Sequence, residues 1–129
     1  VAIDGQLQVL AVDRLDLAVV AQRDAVAAAD VLDKKLTDVE DNLIQRRLTG
    51  QGQDTVRYPP KLMGKLNYLA SGLSADFGPT SQQREVHAMF KDQLSSLRSR
   101  LDDLIKKDLD AFNRTLRESN IQNVITRVP

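Results

Sequence analysis

The sequence contains no cysteine and no tryptophan, and only one of its 129 residues is a histidine. Without cysteine the chain forms no disulfide and offers no thiolate as a nucleophile or metal ligand, and it fits either a reducing or an oxidising compartment. Because His87 is the only histidine, a zinc site would need carboxylates for all its other ligands. We therefore expect His87 to be satisfied locally or to face solvent, and we expect no metal and no cofactor.

Aromatic residues are also scarce, and neither positive nor negative charge is in excess. Three Phe and two Tyr are too few for a surface that stacks bases or sugars. The 18 Lys and Arg balance the 18 Asp and Glu, and no half of the chain carries a basic stripe, which argues against nucleic acid. The longest apolar runs, 17–21 and 25–29, are far shorter than the roughly 20 residues of a membrane span.

The first third of the chain predicts a long helix. No Gly or Pro lies between Gln6 and Thr49. Apolar residues recur there in steps of three and four, at Ile3, Leu7, Leu10, Leu17, Ala21, Ala25, Ala28, Leu32, Leu36, Val39 and Leu43. We predict a helix over about 4–48. Its middle is all alanine, so either another helix approaches closely there or the helix breaks around residues 30–33.

Glycine and proline mark the next boundaries. The segment 49–54 contains Gly50 and Gly52, and it predicts a loop that continues to residue 58. Pro59 restricts Tyr58 to extended conformations, whereas Pro60 suits the first turn of a helix. We predict a second helix over about 59–75, with its inner face formed by Leu62, Leu66, Leu69 and Leu73.

A third helix is predicted over about 80–119. Thr80 is followed three residues later by Gln83, which is the pattern of a capping box. The apolar stripe of this helix comprises Val86, Phe90, Leu94, Leu97, Leu101, Ile105, Leu109, Phe112 and Leu116, broadened by Leu104. The tail 120–129 contains Ile121, Val124, Ile125 and Val128 and is apolar enough to pack against another apolar surface.

Together these elements predict an all-α fold for residues 1–129, a single domain with coiled-coil-like packing. It contains three helices, or four if the first is broken. The first and third helices would each be about 60 Å long, whereas the second would be only about 25 Å long. A short middle helix cannot cover both long neighbours, so apolar surface should remain for a partner. The sequence thus favours an interaction role.

No catalytic residue is predicted. Carboxylates cluster at Asp38, Glu40 and Asp41 and again at Asp102, Asp103, Asp108 and Asp110. They alternate with basic residues at helical spacing: Lys34, Lys35, Arg46, Arg98, Arg100, Lys106 and Lys107. This pattern is typical of a solvated helix face with ion pairs. An enzyme would instead need two carboxylates that face each other across a pocket.

Two further patterns also fall short of a site. Gly50-Gln51-Gly52 lacks the strand, helix and Lys-Ser/Thr of a phosphate-binding loop. No base lies beside any of the serines at 71, 74, 81, 95, 96 and 99. Arg23-Asp24 and Arg114 are either exposed contacts or members of internal ion pairs, and the sequence does not distinguish these. We expect this segment not to be an enzyme.

From Leu36 onward the sequence resembles a known helical region. The residues that carry the likeness are 36–43, 58–62, Lys65-Leu66, 78–80, 110–113 and Leu116. They are similar to the C-terminal helical region that follows the β-propeller in bacterial BNR or Asp-box, sortilin-like (Vps10-type) glycosyl hydrolases. Residues 1–35 match less, with only Arg23-Asp24 and its apolar surroundings looking similar.

The resemblance implies an accessory role. In such parents the catalytic apparatus and the Asp-box turns lie in the propeller, and none of those motifs occurs here. A parent of this kind looks exported, which implies a periplasmic or secreted home. The chain begins at Val1 without a Met, so we expect a piece of a longer protein. It would dock on its own propeller or join two copies, as in a homodimer. The alternative is a free-standing spectrin-like or coiled-coil adaptor that binds a partner helix.

Overall fold

The chain folds into helices. In a computed structural model, the backbone is described for residues 2–124 and the side chains for residues 16–124. Within those residues all regular structure is helical and no strand occurs, which confirms the predicted all-α bundle. The elements are α1 (Ala2–Leu43), α2 (Asp54–Arg57), α3 (Leu62–Gly72), α4 (Ser81–Asp103), a π-helical turn (Leu104–Leu109) and α5 (Asp110–Glu118).

Contacts within the chain define two compact units where the sequence predicted one domain. Among the described residues, one unit contains 2–34 and 105–124, and the other contains 35–104. Helix α1 contributes residues to both and is continuous from Ala2 to Leu43. The predicted alternative of a break around residues 30–33 is therefore wrong. Leu32 is buried at this point, so packing adds to the high helix propensity of the alanines that precede it.

In the first unit, the described part of α1 buries a face with helical spacing. Ala25 and Leu32 are buried on it, and Ala21 and Ala28 are half-buried. This confirms the middle of the predicted stripe. Leu17 was predicted to lie on the same stripe but is 69% exposed. The side chains of Ile3, Leu7 and Leu10 lie outside the described residues.

Helix α5 ends in a cap that the sequence analysis did not identify. The N–H of Ile121 donates to the carbonyl of Leu116, and the N–H of Asn120 donates to the carbonyl of Arg117. Asn120 has a positive φ of 56°. This is a Schellman motif, in which asparagine takes the left-handed position usually given to glycine. The motif turns the chain at residue 120, where the tail was predicted to begin.

In the second unit, Val39, Leu62 and Phe90 are buried. They come from α1, α3 and α4, and all three lie on the predicted stripes. Leu36, Leu94 and Leu101 were predicted on the same stripes but are at least 37% exposed. Helices α3 and α4 pack against each other.

Helix α1 ends five residues earlier than the predicted residue 48. Its last backbone bond joins the N–H of Ile44 to the carbonyl of Glu40. The next two side chains are used elsewhere: Gln45 donates to the carbonyl of Pro59, and Arg46 turns back to the carboxylate of Asp41. The first of these contacts spans fourteen residues, so local helix propensity could not reveal it.

The connecting segment 44–61 contains a single helical turn, α2, where only a loop was predicted. Tyr58 is extended at φ −125° and ψ 89°, which confirms the restriction imposed by Pro59. Helix α3 begins at Leu62, after an extended Lys61, and ends at Gly72, so it is shorter than the predicted 59–75. Leu73 of the predicted inner face lies beyond the helix end and is 40% exposed.

The predicted capping box at the start of α4 is confirmed. The Thr80 hydroxyl accepts from the N–H of Gln83 at 3.2 Å, and the Gln83 side chain accepts from the N–H of Thr80 at 2.9 Å. The helix predicted over 80–119 is interrupted by the π-helical turn, which the sequence did not reveal because no Gly or Pro marks it. Within the turn Leu104, Ile105 and Leu109 remain half-buried, as their stripe positions predicted.

Candidate functional site

The acidic cluster of the second unit forms ion pairs. The carboxylate of Asp38 on α1 pairs with the guanidinium of Arg100 on α4. Arg46 pairs with Asp41 at 2.8 Å and with Glu40 at 3.3 Å. All of these side chains are about half exposed. Exposed pairs contribute only about 0 to 1 kcal/mol each, so these pairs add little to stability. Asp41 lines a polar pocket together with Arg46 and Lys61, without a second carboxylate.

His87 lies near the start of α4 and is exposed. Among the described residues, no group of three or more His, Asp or Glu side chains is placed to hold a metal ion. Asp102, Asp110 and Arg114 are exposed on the last helical segments.

The Gly50-Gln51-Gly52 loop closes on a side chain of its own. One carboxylate oxygen of Asp54 accepts from the Thr49 hydroxyl at 2.7 Å, the Thr49 N–H at 2.7 Å and the Gly50 N–H at 3.0 Å. These bonds, led by the hydroxyl bond, hold the pKa of Asp54 below its ordinary value. Gly50 and Gly52 have positive φ values, as such a turn requires. The N–H groups of Thr49 and Gly50 are thus used by Asp54, and the N–H of Gln51 donates to the Thr49 hydroxyl.

The hydroxyls of Ser71, Ser74 and Ser81 donate to acceptors within four residues along the chain. The hydroxyl of Ser71 donates to the backbone carbonyls of Asn67 and Tyr68, and that of Ser74 donates to the carbonyl of Ser71. Ser81 donates to the side chain of Gln82. None of these four bonds activates a hydroxyl for attack, because the acceptors are amide oxygens and not a general base.

The feature that departs most from a self-contained fold is an exposed apolar row on α1. Leu17 is 69% exposed, Val20 53% and Val31 54%. Asp24 and Ala27 lie on the same line and are also exposed. We call these five residues the outer row. Their spacing of three, four, three and four residues is that of the inner positions of a coiled coil.

The second unit has an apolar surface of its own, a groove of about 650 Å³. Leu48 of the connecting segment lines it, together with Leu69 of α3 and Val86 and Phe90 of α4. Tyr68 stands at its edge and is 84% exposed. A groove of this kind suits an apolar side chain or a short helix.

Exposed apolar surface was predicted from the sequence without a location. Leu17 was wrongly assigned to the buried stripe, and Val20 and Val31 were not singled out. A signal was present, because residues 17, 20, 24, 27 and 31 repeat with heptad spacing beside the main stripe. The aspartate in the middle of the row concealed it. Asp24, which was predicted to be either an exposed contact or a member of an internal ion pair, belongs to the outer row, and the groove lining contains none of the carboxylates or serines considered for catalysis.

Comparison with known proteins does not indicate a function, so the outer row and the groove are the features from which a function is inferred. No family model, no curated protein and no solved structure matches this chain. In the part of the chain that the structure describes, no helix combines the length and the apolar character that a membrane crossing requires.

Proposed function

We propose that this chain is a non-catalytic accessory domain that binds protein. Its place would be at the C-terminus of a sortilin-like BNR-repeat propeller protein, a glycosyl hydrolase by resemblance. It would dock on that propeller or join two copies. The observation that carries the proposal is the outer row on α1, with three aliphatic side chains more than half exposed.

The first argument for a protein partner is the free energy that is lost when the apolar side chains of the outer row stay in water. A helix that is apolar on more than one face is usually buried on more than one face. Exposing Leu17, Val20 and Val31 to water forgoes roughly 1.5 to 3 kcal/mol for each side chain that could be fully buried. A protein partner is the occupant that can recover this free energy for a row that runs along a helix.

The second argument comes from the acidic side chains of the second unit, which interact with other residues of the chain. In the second unit Asp38, Glu40 and Asp41 form ion pairs, and Asp54 closes a loop. These are structural uses, and they support a role in binding over one in chemistry.

The proposal can be tested with two measurements on the 129-residue chain. Light scattering coupled to gel filtration gives its oligomeric state, and titration calorimetry gives its affinity for a propeller region of the parent, expressed separately. We expect self-association, affinity for the propeller, or both. A compact chain that is strictly monomeric and does not bind the propeller would contradict the proposal.

The groove supports one alternative, a free-standing adaptor of spectrin-like or coiled-coil type. Its apolar lining would receive a helix from an unrelated protein. The full open reading frame separates the two candidates. The accessory domain requires several hundred propeller residues upstream, whereas the adaptor requires none.

A further inference from the structure

We propose that the outer row binds a second copy of this chain, with the two α1 helices antiparallel. The inference rests on the proposed function and adds the identity and orientation of the partner. Its basis is the exposed row together with the charges beside it.

The row pairs well with itself when the two helices run in opposite directions. In an antiparallel coiled coil the two inner positions of the heptad face each other across the seam. A two-fold axis midway between Asp24 and Ala27 sets Val20 against the partner's Val31, and by symmetry Val31 against the partner's Val20. The same axis sets Asp24 against the partner's Ala27, where the small methyl group leaves room for a carboxylate.

The ends of this seam are also covered. Leu17 would lie against the partner's Lys34, which is exposed in the described structure. The methylene groups of a lysine can cover an apolar side chain while the ammonium group stays in water. The paired segment 17–34 is about 27 Å long, or five helical turns.

The flanking charges favour this register. Arg23 and Asp30 are both exposed and occupy the flank of the row, seven residues apart. Neither belongs to an ion pair in the part of the chain that the structure describes. In the antiparallel register Arg23 lies beside the partner's Asp30, and Asp30 lies beside the partner's Arg23. The dimer therefore gains two pairs of opposite charge.

A parallel pair is less favourable at the centre of the row. With the helices in the same direction and in register, Asp24 would face the partner's Asp24 across the seam, whereas in the antiparallel pair it faces Ala27. Like charges that face each other at an inner position repel. On the flank, Arg23 would lie beside the partner's Ala28, and only Asp30 would meet an opposite charge, that of the partner's Lys35. The repulsion at Asp24 therefore favours the antiparallel arrangement.

The size of the seam sets the expected affinity. Two valines, one leucine and one alanine from each copy bury less surface than the roughly 1,600 Å² of a standard stable interface. We expect a reversible dimer with a dissociation constant in the micromolar range or weaker, sensitive to salt through its flanking charges.

Charge reversal tests the proposal. In analytical ultracentrifugation at low salt and over micromolar to millimolar concentrations, the wild-type chain should show a monomer–dimer equilibrium. Arg23→Asp and Asp30→Arg each place like charges together, and each alone should weaken dimerisation about tenfold or more. An equimolar mixture of the two variants brings opposite charges together again. The mixture should therefore dimerise about as well as the wild type.

Apolar variants provide the matched control. Val20→Glu puts a carboxylate against the partner's Val31 and should abolish the dimer. Val26→Glu changes a valine that is 62% exposed but lies about 120° around the helix from Val20, so it should leave the dimer intact. Circular dichroism must show wild-type helicity for all four variants, which separates loss of pairing from loss of folding.

The outcomes distinguish this inference from the proposed function. A monomeric wild type, or a mixture that dimerises no better than the single variants, overturns the antiparallel dimer. If that monomer still binds the propeller region through the outer row, the accessory role stands without the dimer. If it binds neither, both proposals fail.

Discussion

The side-chain amide of Asn113 forms two hydrogen bonds with the backbone of Val124, eleven residues further along the chain. It donates to the Val124 carbonyl at 3.1 Å and accepts from the Val124 N–H at 2.9 Å. These two hydrogen bonds resemble those between neighbouring β-strands, with the Asn113 side-chain amide in place of the backbone of one strand. It fixes the segment after α5 once the cap at Asn120 has turned the chain.

Asn113→Ala should therefore release this segment. Loss of two net hydrogen bonds should lower the free energy of unfolding by about 1 to 2 kcal/mol, and the Val124 amide should lose protection from hydrogen exchange. Asn113→Asp is the graded control, since its carboxylate still accepts from the Val124 N–H but cannot donate. Urea unfolding and amide exchange measure both effects. Unchanged exchange at Val124 in Asn113→Ala would show that the bonds do not form.

Two helical glycines of α3 should respond to alanine in opposite directions. A Cβ at Gly64 would lie 2.8 Å from Cβ of Pro60, whereas a Cβ at Gly72 would meet the Gln83 side chain at an ordinary 3.7 Å. The proline ring cannot rotate away, so the clash at Gly64 should exceed the helix-propensity gain of about 1 kcal/mol. We expect Gly64→Ala to cost about 1 kcal/mol and Gly72→Ala to stabilise slightly.

Chemical denaturation of the two glycine variants against the wild type gives both values. Equal stabilisation by the two alanines would mean that Pro60 and α3 are not in close contact. That result would also undermine the groove, because Pro60 and Gly64 both line it.

The loop closed by Asp54 should depend on pH. The Thr49 hydroxyl bond and the backbone N–H bonds hold the pKa of Asp54 below its ordinary value of 3.8. A lowered pKa in the folded state means that the ionised carboxylate stabilises the loop above the unfolded pKa, and that this contribution is lost as the pH falls through the folded pKa. The loop bonds should thus be intact at neutral pH and lost in acid.

Carbon-detected NMR titration of Asp54 measures this directly. Thr49→Ala removes the largest cause and should raise the Asp54 pKa toward its ordinary value, while Thr49→Ser keeps a hydroxyl and should leave it lowered. An Asp54 pKa that does not move in Thr49→Ala would mean that the hydroxyl bond contributes nothing.

Features decided within a few residues could be predicted from the sequence. The capping box at Thr80 and Gln83 and the extended Tyr58 before Pro59 depend only on neighbouring residues. The buried stripe through Ala25, Leu32 and Val39 follows from a strong helical period. The all-α fold is the sum of such patterns.

Features that depend on distant residues could not be predicted in this way. The early end of α1 involves Gln45 and the Pro59 carbonyl, and the attachment of the tail involves Asn113 and Val124. The outer row was missed for another reason. Periodicity reports which residues share a face, but not whether the molecule itself covers that face.

Because the chain has no cysteine, a single introduced thiol can report directly whether a protein partner covers the outer row. Val20→Cys and Val26→Cys each introduce a single thiol at an exposed valine, one on the row and one off it. The measurement is the rate of thiol alkylation, in dilute and concentrated samples and with the propeller region added. We predict that the thiol at position 20 becomes protected under at least one of these conditions while the thiol at position 26 reacts at a constant rate. Equal and unchanged rates for both thiols under every condition would contradict the account.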